Sequence, residues 1–416
     1  MLLRVIMYGG VKYNVVQINT GRADMMIRNF LMTAVAMVML AGFTACDPES
    51  VTDEVTVSMV DPDATNETRA LFVNMRDLAG DYILFGHQDD LAYGVHWKNE
   101  PGRSDVREVT GAYPAVFGWE LGDLELGAEE NLDAVNFENL KGWIREAYEM
   151  GGINTISWHL NNPVTGGDAW DTEGRPVATI LPGGENHELF NEWLDRFAEF
   201  ANDLTVEVDG DEQFIPIIFR PWHEHNGSWF WWGADHCTPE EYNELWRYMV
   251  TYLRDEKGLN HLIWAHSPGS FDGMAEFLER YPGDDYVDLV GFDMYNIDQD
   301  NYIESMRSLV EYAEERGMIA AFTETGNEAL RDETWYTEVL YPLITQDEVA
   351  RRISYVLVWR NSHEETDRVD HYYTPYPGHP AADDFVRFYE KDEIIFQDRL
   401  PYMYSIDDEI QPRIMP

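Results

Sequence analysis

Short apolar runs recur along the chain from residue 82 onward, and each run is rich in β-branched and aromatic residues. Runs of this kind predict buried β-strands. The eight strand candidates are YILFGHQ from 82, PAVFGWEL from 114, NTISWHL from 154, PIIFRPWHE from 216, HLIWAHS from 261, VDLVGFDMY from 287, IAAFTETG from 319 and SYVLVWRN from 354. Longer stretches of different periodicity separate them.

Those separating stretches predict amphipathic helices, because their leucines and aromatic residues recur at three- and four-residue spacing. The clearest cover 133–150, 187–202, 238–255 and 302–317. Strand and helix therefore alternate eight times, which predicts an α/β fold consisting of a single (β/α)8 TIM barrel. A further helix is predicted over 64–79, where it would close the bottom of the barrel.

Each strand candidate begins apolar and ends in polar or aromatic residues such as His, Glu, Asp, Trp, Tyr or Arg. In a TIM barrel the active site lies at the C-terminal ends of the strands. The sequence therefore predicts that these groups converge on one face. The segment 163–185, which is rich in glycine, proline and acidic residues, predicts a long loop on the same face.

The N-terminal region predicts export. Residues 30–45 are uncharged and follow Arg28, and their length suits the apolar part of a signal peptide. The small residues directly before Cys46 resemble a bacterial lipobox, in which that cysteine is lipidated and becomes the mature N-terminus. Ordinary signal-peptidase cleavage is the alternative. An outer-membrane lipoprotein is expected, although the aspartate after Cys46 also suits inner-membrane retention.

Three regions follow from this pattern. Residues 1–45 form a signal peptide with a misassigned start, because Met25 or Met26 fits the true start better. Residues 46–66 contain the lipidated cysteine and an acidic tether that has no Lys or Arg between 47 and 66. Residues 67–416 form the (β/α)8 catalytic domain.

Charge and cysteine content limit the classes of binding partner and the type of fold that are possible. The chain has 77 acidic and 29 basic residues and a net charge of −48, which excludes attraction to nucleic acid or anionic lipid. A neutral substrate fits this charge. The two cysteines, Cys46 and Cys237, provide no disulfide framework, and Cys237 is predicted to be a plain thiol.

Two glutamates stand at the ends of strands that face each other across a barrel. Glu224 lies in RPWHEHNGSWFWWG after the fourth strand, and Glu324 lies in FTETG on the seventh. Glycosidic cleavage needs one carboxylic acid and one carboxylate, which are about 5–5.5 Å apart in retaining enzymes. Either glutamate alone is more simply a loop cap or ion-pair partner. Together they predict a glycosidase.

The aromatic run beside Glu224 supports this interpretation. Trp229, Phe230, Trp231 and Trp232 offer flat surfaces for sugar rings, and at least one or two of them are expected to face the cleft. Desolvation by these rings is expected to raise the pKa of Glu224, so that it remains protonated and works as an acid. The competing interpretation is that the run belongs to the core.

Four segments resemble glycoside hydrolase family 26, namely RPWHEHNGSWFWWG, GGINTISWHLNNP, DLVGFDMYN and FTETGNE. The similarity extends from about residue 82 to 361. The family is best known for β-mannanases, which are retaining enzymes with (β/α)8 barrels. The resemblance implies cleavage of β-1,4-mannosidic linkages in mannan, galactomannan or manno-oligosaccharides, with no cofactor and no metal.

The resemblance also implies individual roles. Glu224 would be the acid/base and Glu324 the nucleophile, with Tyr295 donating a hydrogen bond that keeps Glu324 ionised. The expected substrate-binding residues are His159, His223, Trp229, Asp293, Tyr295, Trp359 and Arg360. Of these, Trp359 and Arg360 would form the floor and a neighbouring subsite. From the residues alone, Asp293 and Asp288 are equally suited to pair with Arg220.

Other functions remain open at this stage. His223 and His225 form an H-x-H pair that, with His159, His266 and Asp293, suits a metal-dependent hydrolase. A non-catalytic glycan-binding lipoprotein would need the aromatic rings but not both glutamates. Within the family, β-1,3-xylan and mixed-linkage glucan are alternative substrates. The sequence leaves open the mode of cleavage, the tolerance of galactose side groups and the oligomeric state.

Overall fold

The computed structural model describes residues 6–8, 11–13, 58–295, 299–363 and 370–406. Eight parallel strands pair in chain order, and the eighth pairs with the first, so the predicted (β/α)8 barrel is confirmed. The strands are β1 (Ile83–Gln88), β2 (Val116–Glu120), β3 (Ile153–Trp158), β4 (Ile217–Pro221), β5 (Leu262–His266), β6 (Leu289–Met294), β7 (Ile319–Thr325) and β8 (Tyr355–Val358). Tyr355 lies opposite Leu84 where the barrel closes.

Helices occupy the predicted stretches between the strands, together with several shorter elements. The α-helices are Asn66–Leu78, Asp105–Thr110, Phe137–Glu149, Pro176–Ile180, His187–Asn202, Pro239–Thr251, Met274–Glu279, Gln299–Arg316, Tyr341–Thr345 and Ala382–Tyr389. Two π-helical turns cover Tyr252–Glu256 and Tyr336–Leu340. The other short strands are Ile6–Tyr8, Val11–Tyr13, Tyr93–Gly94, Trp97–Lys98, Thr205–Val208, Asp211–Phe214 and Ile394–Ile395. The last of these pairs in parallel with β1.

Local sequence explains where two of these helices begin. The helix predicted from 133 starts at Phe137, because the Asn136 side chain accepts hydrogen bonds from the backbone N–H groups of Glu138 and Asn139. The helix after β4 starts at Pro239. There Thr238 and Glu241 form a capping box, and proline at the first helical position loses no hydrogen bond.

Aromatic packing joins the helices to the barrel. Phe197, on the helix after β3, stacks on Phe219 of β4 with ring centroids 4.2 Å apart. On the other side of the barrel, Phe85 of β1 packs against Phe396 at 4.6 Å and against Phe385 at 5.4 Å. The C-terminal helix Ala382–Tyr389 therefore completes the wall around β1 instead of forming a separate domain.

The structure shortens the predicted tether over 46–66. Met59, Val60, Asp61 and Ala64 are buried. Val60 N donates to Asp288 Oδ1 at 2.8 Å, and Arg254 Nη1 donates to the Val60 carbonyl at 2.9 Å. Residues 59–65 therefore form a strap that packs against the barrel. They are not part of an extended tether.

The strap leads into the helix Asn66–Leu78 at the bottom of the barrel, as predicted. Ser354, at the start of β8, donates to the Met75 carbonyl of this helix at 3.2 Å. Asp288 lies at this end as well, since it directly precedes β6. It also accepts from Trp264 N at 3.0 Å, so it is not the partner of Arg220.

The chain divides into two compact units, Met1–Thr56 and Val57–Pro416. Within the first unit, the strands Ile6–Tyr8 and Val11–Tyr13 pair antiparallel. Residues 14–57, which contain Cys46 and the predicted apolar part of the signal peptide, lie outside the described residues. In the parts of the chain that are described, no helix combines the length and the hydrophobicity required to cross a membrane.

Replacing Asp288 by alanine is expected to destabilise the barrel by about 2–4 kcal/mol, because two buried backbone N–H groups lose their acceptor and the strap loses its anchor. Denaturant unfolding of the domain would measure this change. Asp285→Ala provides the control, since Asp285 is exposed in the short 3-10 helix Asp284–Tyr286 before β6 and its replacement should change stability by less than about 0.5 kcal/mol. Equal losses for both variants would contradict the assigned role.

Candidate active site

The chain turns sharply after β4 to present Glu224. β4 ends at Pro221, and both Trp222 and Glu224 have φ of 53°, in the left-handed region. Non-glycine residues rarely adopt this conformation, and those that do are often found at functional sites, where the backbone orients a particular side chain. The backbone N–H of Glu224 donates to the Ser267 carbonyl at 2.9 Å, which fixes the turn to the end of β5.

Glu324 is held on β7 by two donors. Arg220 Nη2 donates to Glu324 Oε2 at 2.6 Å, and the Tyr295 hydroxyl donates to Oε1 at 2.5 Å. The Glu324 side chain is almost completely buried, so these contacts replace the water that an anion would otherwise need. Both donors stabilise a carboxylate and fix its orientation, which suits a nucleophile.

Arg220 also pairs with Asp293. Arg220 Nη1 donates to Asp293 Oδ2 at 2.7 Å, and Thr323 donates to Asp293 Oδ1 at 2.6 Å. Burial opposes the charge of Arg220, but Asp293 and Glu324 outweigh it and raise its pKa. Asp293 was predicted as a substrate-binding residue. It was also expected to support the network around Glu324, and the structure shows a buried Asp293 carboxylate that is paired with Arg220, the same arginine that bonds Glu324.

The environment of Glu224 favours its protonated form. Burial raises its pKa well above the ordinary value, and the negative charges of Glu324 and Asp293 raise it further. Trp229 Nε1 donates to Glu224 Oε2 at 2.6 Å and opposes the shift in part. Glu224 can therefore keep a proton under conditions in which an ordinary carboxyl group is ionised.

His159 is oriented by Glu120, a residue that sequence reasoning missed. His159 Nδ1 lies 2.8 Å from Glu120 Oε2, and His159 N donates to Oε1 at 2.9 Å. Burial opposes protonation of His159, but Glu120 outweighs it and raises the pKa of the imidazole. The signal was present in the sequence, because Glu120 is the polar end of β2.

His223 lies beside His159 and has the opposite electrostatic character. The two rings meet edge to face with centroids 4.6 Å apart. Burial lowers the pKa of His223 well below the ordinary value, and the nearby Arg220 and His159 charges lower it further. The site thus combines a histidine that favours the charged form with one that remains neutral.

The aromatic run after Glu224 divides into one exposed ring and three buried ones. Trp229 is 46% exposed, whereas Phe230, Trp231 and Trp232 are buried. The indole N–H of Trp231 donates to the Leu160 carbonyl at 2.8 Å, and that of Trp232 donates to the His223 carbonyl at 2.9 Å. Trp231 and Trp232 were predicted as possible sugar platforms. Both are instead buried, and their hydrogen bonds stabilise the loop that carries Glu224.

A second exposed indole comes from the long loop 163–185. Trp170 is 50% exposed and stacks on His159, with ring centroids 5.3 Å apart and planes inclined by 14°. Asn162 shapes the loop, since its side chain donates to the Asp171 carbonyl at 2.6 Å and accepts from Val164 N at 2.8 Å. The loop was predicted on this face, but Trp170 was not identified.

Trp359 and Arg360 follow β8 and border the same cleft. Trp359 meets His159 edge to face at 6.5 Å. Arg360 Nη1 lies 2.6 Å from Asp133 Oδ1 and donates to the Tyr93 hydroxyl at 3.2 Å. The guanidinium of Arg360 is thus largely occupied by the protein, and only a small part of it faces the solvent.

The two histidines of the H-x-H pair do not share a face, because the chain is turning between them. His223 lies among His159 and Phe230, whereas His225 packs against Tyr242 and His266 at 4.3 and 4.6 Å. Within the described ranges, no group of three or more His, Cys, Asp or Glu side chains is arranged to hold a metal. Cys237 is a buried thiol that contacts Arg280.

Replacing Glu120 by glutamine is expected to lower the pKa of His159, because burial and Arg220 disfavour the charged imidazole and only Glu324 would remain to favour it. Titration of labelled histidines by NMR would measure the shift. Glu125→Gln is the matched control, since Glu125 is also buried but accepts from Trp158 Nε1 and Asn161 N. A raised pKa of His159 in the Glu120 variant would contradict the electrostatic assignment.

Known proteins share this fold and sequence. Residues 60–369 match the sequence profile of Glycosyl hydrolase family 26. A mannan endo-1,4-beta-mannosidase of Bifidobacterium adolescentis is 35% identical over 398 residues, which cover 90% of this chain and 39% of that protein. The chain thus spans about two fifths of the length of that relative.

Solved structures agree with this match. A GH26 beta-mannanase from Bacteroides ovatus is 44% identical, with a TM-score of 0.77 over 83% of this chain and 99% of the other. A modular endo-beta-1,4-mannanase from Cellulomonas fimi is 35% identical, with a TM-score of 0.76 over 84% of this chain and 80% of the other. Profile, sequence and structure agree with the resemblance seen in the motifs, and the chain belongs to glycosyl hydrolase family 26.

Proposed function

We propose that this protein is a retaining glycoside hydrolase that cleaves β-1,4-mannosidic linkages in mannan, galactomannan or manno-oligosaccharides. The observation that carries the proposal is the contrast between the two glutamates. Glu324 accepts hydrogen bonds from Arg220 and Tyr295, while burial and the negative charge of Glu324 raise the pKa of Glu224 and favour its protonated form. One acid and one nucleophile are the two groups that this chemistry needs.

The reaction follows from these protonation states. Glu324 attacks the anomeric carbon while Glu224 gives its proton to the glycosidic oxygen, so the leaving sugar departs as a neutral alcohol. The ionised Glu224 then removes a proton from water, which attacks the glycosyl–Glu324 ester and releases the sugar with retained configuration. Two carboxyl groups complete this cycle, so the mechanism requires no metal.

The remaining residues are assigned to binding. Trp229 and Trp170 present exposed indole faces on which sugar rings can stack. His159 and His223 offer to sugar hydroxyls one imidazole whose pKa is raised and one whose pKa is lowered, and the Trp359 ring meets His159 edge to face. Mannan is the favoured polymer because the named relatives are mannanases. Activity only on β-1,3-xylan or mixed-linkage glucan would be consistent with the proposed mechanism but would identify a different substrate.

We also propose that Cys46 is lipidated after removal of the signal peptide and anchors the protein in the outer membrane. The uncharged run over 30–45 and the small residues before Cys46 support this. The strap packs on the bottom of the barrel, at the end opposite the cleft.

Replacing either glutamate by alanine is expected to lower the rate of reducing-end release from linear β-1,4-mannan by about 10³-fold or more. An aryl mannoside with a good leaving group separates the two roles. Glu224→Ala should retain much of its activity on this substrate, because an activated leaving group needs little protonation, whereas Glu324→Ala should remain inactive.

The control for this experiment is Glu207→Ala, because Glu207 is exposed on the Thr205–Val208 hairpin strand, remote from the cleft. Its activity should equal that of the wild type, with or without a chelator. Loss of all activity in the presence of the chelator would contradict the proposed mechanism. Full activity of Glu324→Ala on the aryl substrate would reject Glu324 as the nucleophile.

Replacing Cys46 by serine is expected to abolish incorporation of radiolabelled palmitate and to move the protein from the membrane fraction to the soluble fraction of a Gram-negative host. Cys237→Ser is the control, since Cys237 is buried in the barrel domain and should not affect labelling. An unlabelled wild-type protein would support ordinary signal-peptidase cleavage instead. Labelled protein in the inner-membrane fraction would support the lipid anchor but assign it to the inner membrane.

A further inference from the structure

Asn226, two residues after Glu224, uses both ends of its side-chain amide to join two loops. Gly269 N donates to Asn226 Oδ1 at 2.7 Å, and Asn226 Nδ2 donates to the Ser270 carbonyl at 2.8 Å. Gly269 and Ser270 lie between the end of β5 and the helix that follows it. The amide thus fastens the turn that carries Glu224 to a different loop, and the reaction described above assigns this contact no role.

The loop after β5 is itself fixed against β6. Asp293 N donates to the Pro268 carbonyl at 2.9 Å, and Gly269 forms an isolated parallel bridge with Asp293. Asp293 is the partner of Arg220, which also bonds the proposed nucleophile. The segment that Asn226 binds is therefore joined to the same group of side chains that holds the nucleophile.

Asn226 also lies beside the support of the Trp229 ring. A β-carbon on Gly227 would lie 2.2 Å from this ring, so the indole rests directly on the backbone of Gly227. A β-carbon on Gly269 would lie 3.3 Å from Asn226 Oδ1 and 3.8 Å from the same ring. Trp229 Nε1 donates to Glu224 Oε2 at 2.6 Å. The indole that orients the Glu224 carboxyl group therefore rests on the two segments that Asn226 joins.

The turn needs such support because of its backbone conformation. Glu224 has φ of 53°, and a non-glycine residue in this region persists only where the surrounding structure holds it. The bond from Glu224 N to the Ser267 carbonyl holds one side of the turn, and the Asn226 amide holds the other. A general acid has to lie within hydrogen-bond reach of the leaving oxygen, and a displacement of about 1 Å can lower the rate about 10²-fold.

We propose that Asn226 is a positioning residue that holds the Glu224 carboxyl group, by bridging its turn to the loop after β5, where it can protonate the leaving oxygen. The role requires no contact between Asn226 and the substrate, since Asn226 acts through Glu224 and Trp229. An amide suits it, because it donates and accepts at once and adds no charge beside the acid. The inference rests on the proposed function, because it requires that Glu224 protonate a glycosidic oxygen.

The test compares two substrates that differ only in their leaving group, a phenyl and a dinitrophenyl β-mannobioside. Phenol departs with the help of an acid, whereas dinitrophenolate needs little protonation. In Asn226→Ala, kcat/KM should fall about 10²-fold for the phenyl substrate and less than about threefold for the dinitrophenyl substrate. Both leaving groups offer an aromatic ring to Trp229, so a loss of stacking alone would affect both substrates alike.

Asn74→Ala is the matched control. The Asn74 side chain donates to two backbone carbonyls, at 2.9 and 2.8 Å, from the helix at the bottom of the barrel. This variant loses a comparable pair of hydrogen bonds, so its melting temperature should fall while the ratio of kcat/KM for the two substrates stays at the wild-type value. A purely structural role of Asn226 would give the same result.

The isosteric variant Asn226→Asp covers the case in which the alanine variant does not fold. Its carboxylate can still accept from Gly269 N but cannot donate to the Ser270 carbonyl. It should show the same dependence on the leaving group in weaker form.

A second measurement needs no substrate. The indole N–H signal of Trp229, identified in NMR spectra by its absence from Trp229→Phe, should exchange with water faster in Asn226→Ala, because the ring loses part of its support. The exchange rate should not change in Asn74→Ala.

Each result decides between these possibilities. Equal falls for both leaving groups, or no fall for either, overturn the inference but leave the proposed function intact. Unchanged exchange of the Trp229 indole N–H in a folded Asn226→Ala variant overturns it as well. A wild-type protein that cleaves neither substrate and does not cleave linear β-1,4-mannan overturns the proposed function and the inference together.

Discussion

The site depends on one buried cation. Arg220 lies inside the barrel, where a lone charge would be strongly destabilising, and it is stabilised by pairing with both Asp293 and Glu324. Burial raises the pKa of Glu224, the negative charges of Glu324 and Asp293 raise it further, and Arg220 opposes this shift in part. A single arginine thus orients the Glu324 carboxylate and, with its two partners, helps to set the electrostatic environment of Glu224.

The aromatic residues are divided between support and binding for a physical reason. An indole that is fully buried needs a hydrogen-bond partner for its N–H, and Trp231 and Trp232 both donate to backbone carbonyls near the turn that carries Glu224. They stabilise the left-handed conformation of Glu224, which an unsupported turn would not favour. Trp229 instead gives its N–H to Glu224 and leaves its ring face exposed, which is the arrangement a binding platform needs.

The strand order and the polar strand ends were readable from the sequence because they follow from periodicity and from the geometry of a parallel barrel. The same rule applied to β2 would have found Glu120. Trp170 was not predictable in this way, because a loop has no period and its stacking on His159 depends on hydrogen bonds around Asn162. Nor could composition separate Trp229 from Trp232, since only the turn after β4 decides which ring faces the solvent.

The long loop after β3 contacts two different elements of the domain. Trp170, early in the loop, stacks on His159, and Arg175, five residues later, pairs with Glu241 of the helix after β4. The Asn162 side chain, at the start of the loop, donates to the carbonyl of Asp171, which lies between them in the chain. The position of the Trp170 ring beside His159 therefore depends on the contacts of the whole loop, and not only on the strand that precedes His159.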